Sequence, residues 1–124
     1  MTLTGGLVAE SLRVGVAIEG VQLRVTKISR AAWGDVDAGQ PPVWTLIEFD
    51  AADDGVADEL AHALAQSLEP TGGWYCDFHS PDETFVVFAN IVFKYPRGDR
   101  DGRAAAEDHA RSVGVPESQL DWPE

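Results

Sequence analysis

One cysteine, one methionine and nine basic residues among 124 positions set the first limits on this chain. Cys76 alone cannot form an intramolecular disulfide, so the fold must rest on its apolar core, and a reducing compartment is the natural expectation. No apolar run approaches the roughly 20 residues that span a bilayer; Ile91-Val92-Phe93 is far too short. The first residues lack a basic stretch followed by an unbroken apolar core, because Glu10, Arg13 and Glu19 interrupt the only candidate, and a cytoplasmic protein is expected. Basic residues are outnumbered by 21 acidic ones, and the resulting charge of −12 repels phosphate backbones and anionic lipid. Neither nucleic acid nor membrane is expected as a partner. Gly-x-Gly-x-x-Gly, P-loop, Cys-x-x-Cys and Gly-x-Ser-x-Gly patterns are all absent, which removes most of the case for nucleotide or covalent chemistry.

What is present describes one compact domain. The length fits a single core of about 100 to 150 residues, and 44% hydrophobic residues with four Trp, five Phe and two Tyr can fill it. Residues 1–20 admit either a short helix or an extended arm through Leu7, Val8, Leu12, Val16 and Ile18. Val21, Leu23 and Val25 alternate with polar residues and predict a strand running towards Ala31. Gly34 to Pro42 predicts an exposed loop, and Val43 to Asp50 a second strand. Asp53 or Asp54 can cap a helix whose Val56, Leu60, Leu64 and Leu68 form one stripe, stopped by Pro70 and Gly72-Gly73.

Trp74 to His79, Thr84 to Phe88 and Ile91 to Tyr95 predict three further strands, the last two joined by a tight turn at Ala89-Asn90. A second helix starts at Asp99 or Asp101 and ends before Gly114, after which Leu120 and Trp122 anchor a returning tail. This order predicts an α+β domain: a two-layer antiparallel or mixed sheet with both helices on one face, ferredoxin-like with altered connectivity.

The segments Gly73-Trp74-Tyr75-Cys76-Asp77-Phe78, Glu83 to Phe88 (ETFVVF), Phe93-Lys94-Tyr95, Gly98 to Arg103 (GDRDGR) and Gly114 to Trp122 (GVPESQLDW) occur in one unbroken order. In this they resemble a family of small uncharacterised bacterial proteins, and Trp44 to Phe49 looks like the same family's upstream strand. The resemblance covers about the last two thirds of the chain. It implies one compact bacterial domain and transfers no catalytic residues.

Strand alternation puts Tyr75, Asp77 and His79 on one face and Trp74, Cys76 and Phe78 on the other. Asp77 could orient His79 for proton transfer, or the two could hold a metal with Asp82 or Glu83; the plainer and favoured reading is an outward sheet face. Glu59 and His62 make half of a carboxylate metal motif without its second half, and His109 is expected to border the core. Lys94, Arg97, Arg100 and Arg103 gather positive charge where the last strand enters the second helix, and could receive a carboxylate or phosphate; pairing with Asp99, Asp101 and Glu107 is the favoured alternative. Arg97-Gly98-Asp99 reads as turn and helix cap.

Tyr75, Asp77, His79, Lys94, Arg97 and Arg103 are thus the candidate ligand-binding residues, with no catalytic residue, metal or cofactor assigned. The composition points first to a binding or regulatory domain acting through protein contacts, with a basic partner or as a homodimer. The alternative is a small-molecule binding protein or small enzyme, with a pocket lined by Trp74, Tyr75, Phe85, Phe93 and Tyr95 beside Asp77, His79 and Arg97.

Overall fold

The computed structural model describes residues 2–32, 40–52 and 55–124. Its elements are β1 (Thr2–Val8), β2 (Arg24–Ala32), β3 (Val43–Ala52), α1 (Ala57–Ser67), β4 (Cys76–His79), β5 (Glu83–Phe88), β6 (Ile91–Pro96) and α2 (Arg100–Ser112). Short 3-10 turns follow β1 at Ala9–Ser11 and α2 at Glu117–Gln119. The expected loop and the expected cap at Asp53 or Asp54 fall largely outside the described residues; Gln40 to Pro42 of the loop lie within them.

All strand pairings are antiparallel, in the order β2-β3-β1-β4-β5-β6. The strand at the centre is β1, in the region expected to be a helix or an arm. Its glycines hid it, since Thr2-Leu3-Thr4-Gly5-Gly6-Leu7-Val8 offers no alternation at its middle. They are there for a packing reason. A Cβ on Gly5 would lie 2.4 Å from both the Asp77 carbonyl oxygen and the Phe78 Cβ, so only a residue without a side chain lets β4 approach β1 at this point. Strand β2 also begins later than expected, at Arg24, and carries a bulge between Val25 and Lys27. Val21 and Leu23 instead pack against the core from the preceding segment.

β3 and β4 run in the same direction with β1 between them, so α1 is a crossover spanning an inserted strand. The β4-β5-β6 meander forms as expected. Phe88 pairs with Ile91 across the two-residue turn, and Asn90 takes a positive φ of 65°, which Asn tolerates better than most residues. The Asn90 N–H donates to the Ala65 carbonyl at 2.9 Å, tying the hairpin to α1. The Asp99 side chain caps α2 by accepting from the Asp101 N–H at 3.2 Å.

The α+β class holds, but the helices do not share a face. Phe85 and Val87 of β5 pack with Leu60 and Leu64 of α1, whereas the alternate residues Val86 and Phe88 pack with Ala106 and Ala110 of α2. Successive side chains of a strand point to opposite faces. The expected two-layer, ferredoxin-like stack is therefore corrected to three layers: α1, the sheet, then α2 with the returning tail. The sequence pattern concealed this because β5 is apolar on both sides, Thr84 to Phe88 all being buried.

Candidate functional site

On the α2 side of the sheet, α2 and the tail cover β5 and β6 but leave part of β4, β1 and β3 uncovered. Cross-strand register places Gly6 opposite Asp77 on one side and Glu48 on the other, and Val8 opposite Leu46. Gly6 has no side chain, so the surface beside Asp77 stays low. A cleft of about 210 Å³ results, lined by Gly6, Leu7, Val8, Trp44, Leu46, Ile47, Gly73, Trp74, Tyr75, Cys76, Asp77, Gln119 and Asp121.

Two tryptophans form its apolar wall. The Trp44 and Trp74 rings lie 5.2 Å apart at 56°, both nearly buried against Val8. The Trp44 indole N–H donates to the Pro41 carbonyl at 2.8 Å, which fixes its ring. Trp74 departs from the expected alternation because regular strand structure starts only at Cys76, and Gly72 and Gly73, both at positive φ, turn the chain just before it. It therefore joins Tyr75 at the cleft instead of joining Cys76 and Phe78 beneath α1.

The opposite wall comes from the tail. The Tyr75 hydroxyl donates to the Gln119 carbonyl and to Asp121 Oδ1, the latter at 3.3 Å. The Gln119 side chain donates to Gln40 Oε1 at 3.2 Å, and Gln40 in turn donates to the Gly73 carbonyl at 3.3 Å. These bonds hold residues 119–121 beside the Trp74 turn. Burial, with the charges of Asp77 and Asp121 adding to it, pushes the Tyr75 phenol well above its ordinary range, so it stays a neutral donor.

Asp77 is the unusual group. It is half-buried, forms no ion pair or hydrogen bond among the described residues, and lines the cleft beside Asp121. Burial first, and the Asp121 charge second, push its carboxyl up to about 7, with Arg103 acting weakly in the other direction. Arg103 is committed elsewhere. It donates to the carbonyls of Trp122 at 2.8 Å and Leu120 at 3.4 Å, pairs with Glu107 at 3.4 Å, and lies over the Trp122 ring.

The six candidate residues therefore divide. Tyr75 and Asp77 line the cleft, and Arg103 stands behind them as an anchor of the tail. His79 shares their face but does not line the cleft, and among the described residues no hydrogen bond joins it to Asp77, so the proton-transfer pair does not form. Burial and nearby Arg97 hold its imidazole below the ordinary range. Its Nδ1 and the Oγ1 of Thr84, its cross-strand partner, are buried without a hydrogen bond among the described residues.

Arg97 donates to the Glu124 carbonyl at 2.6 Å. Lys94 lies on the α1 face, pairing with Asp58 at 3.2 Å and Glu83 at 3.7 Å above the Phe85 ring. The basic cluster is thus dispersed over two faces, and of the expected pairings with Asp99, Asp101 and Glu107, Arg103 with Glu107 is the one seen among the described residues.

The expected pocket lining is corrected in the same way. Phe85 stacks on Phe78 beneath α1 at 4.6 Å, while Phe93 and Tyr95 pack beneath α2, so none of the three reaches the cleft. His109 borders the core, its ring edge-on to Phe88 at 4.7 Å. Among the described residues no three His, Cys, Asp or Glu side chains converge in a way that could hold a metal, and no helix is long and apolar enough to cross a membrane. Sequence reasoning missed Trp44, Leu46 and Asp121. Only the surplus of tryptophan hinted at them, because their meeting depends on strand order. No protein-family model, curated protein or solved structure matches the chain.

Proposed function

We propose that this chain is a binding domain that takes a small ligand in the cleft between Trp44, Trp74 and Asp77. The observation that carries the reading is a half-buried carboxyl, unpaired among the described residues, facing an aromatic-walled cavity. A site that keeps such a group sacrifices stability for something other than folding. The resemblance to small bacterial proteins supplies no activity, so the cleft alone supports the proposal, and no reaction is assigned to it.

Leu46 is the residue with which to test it, being half-buried on the cleft wall. Small aromatic fragments added to labelled protein are expected to shift the Gly6 amide and the Trp44 and Trp74 indole signals. Leu46→Trp, which fills the cavity, should weaken those fragments by about tenfold or more. Shifts scattered over the surface, or unchanged affinity in the variant, would count against the cleft.

Protein contact, with a basic partner or a second copy, is the second reading. It is supported by the charge of −12 and by edge strand β2, whose Val25 and Ile28 are 51% and 66% exposed. If two copies pair through β2, light scattering should give a dimer that Ile28→Lys converts to monomer. A parent protein that is monomeric at every concentration would exclude that form of the reading.

A further inference from the structure

We propose that the ligand of this cleft is a small primary amine, its ammonium group held between Asp77 and Asp121 and its apolar body lying against Trp44 and Trp74. The inference rests on the cleft reading above and adds the chemical class.

Three features select a cation. Asp77 and Asp121 both line the cavity, and neither forms an ion pair among the described residues. Arg103, the cation whose charge acts on Asp77, has its donors turned to the Leu120 and Trp122 carbonyls and to Glu107. The walls are two indoles, which bring no positive charge to the cleft and offer apolar surface to the carbon body behind an ammonium head.

Other ligand classes fit less well. An anion would meet two carboxylates within a protein of charge −12. A neutral apolar molecule would strip the remaining water from Asp77 and give it no partner. A metal ion would find two carboxylates and, among the described residues, no third His, Cys, Asp or Glu converging with them. A primary ammonium has three N–H donors, enough to serve both carboxylates at once, and a cavity of about 210 Å³ suits a short body behind it.

The test uses three probes of nearly one shape: benzylammonium, benzyl alcohol and benzoate, titrated calorimetrically into the intact protein at about pH 8, where Asp77 is mostly ionised. Benzylammonium is expected to bind saturably in about the millimolar range or tighter, at least tenfold better than the other two. In Asp77→Asn the preference over benzyl alcohol should fall by about fivefold or more, Asp121 alone remaining to hold the ammonium. If the alcohol or benzoate binds as well as the amine, the cation assignment is wrong while the cleft reading stands. If none of the three binds, both fall.

Discussion

Replacing Trp122 with alanine is expected to destabilise the protein by roughly 3 to 5 kcal/mol, the range for truncating a buried aromatic side chain. Trp122 is 3% exposed and lies against Val86, Phe88, Ala106 and Ala110, the cluster that joins α2 to the sheet. Its indole N–H donates to the Tyr95 hydroxyl at 2.7 Å, its ring meets Tyr75 edge-on at 5.2 Å, and the Arg103 guanidinium lies 4.8 Å from its centre. Truncation removes all of these together and takes the indole donor away from the Tyr95 hydroxyl. Trp122→Phe keeps most of the apolar area and loses the N–H, so it should cost about 1 to 2 kcal/mol. Chemical denaturation of the three proteins checks the order; an alanine variant that unfolds with the parent would mean that the tail is peripheral. Because the same tail presents Gln119 and Asp121 to the cleft, loss of Trp122 should also weaken whatever binds there.

Asp77→Asn is expected to act in the opposite direction, stabilising the protein by roughly 2 to 4 kcal/mol at about pH 8. The folded carboxyl holds its proton up to about 7, whereas the unfolded chain releases it near 3.8. Between those values the folded state binds more protons than the unfolded one, so stability falls as pH rises through the window and stays low above it. Below about pH 3 both states are largely protonated and the two proteins should converge. The groups setting the shift are Asp121 from the tail, Arg103 from α2, and the burial provided by Tyr75 and the neighbouring strands. Glu48, across β1 on the same face, is 3.8 Å from Lys27. Denaturation of both proteins across this pH range is the check. An asparagine variant less stable than the parent at alkaline pH would show that the carboxylate is well compensated after all.

The parts of this fold legible in the sequence were those fixed by short-range chemistry. Ala89-Asn90 marked a hairpin through the tolerance of Asn for positive φ, Asp99 marked a helix start, and Trp122 marked an anchored tail. What was not legible depends on contacts between distant segments. Gly5-Gly6 reads locally as a break, yet it is the middle of the central strand, and the close approach of Phe78 that requires Gly5 is 73 positions further along. The helix faces could not be separated while β5 is buried on both sides.

The candidate site followed the same division. Tyr75 and Asp77 stood out because alternation within one strand placed them together, but Trp44, Leu46 and Asp121 reach them only through strand order and the tail's return. Lys94 and Arg97 were grouped with them by sequence proximity, which the two faces of β6 and the path of the turn then undid.

The most direct measurement is a carbon-detected NMR titration of the Asp77 carboxyl, in the free protein and in the presence of saturating benzylammonium. The account predicts a midpoint near 7 in the free protein, moved clearly downward by the ammonium and left in place by benzyl alcohol. A midpoint in the ordinary aspartate range near 3.8, or one that the ammonium does not move, would contradict it.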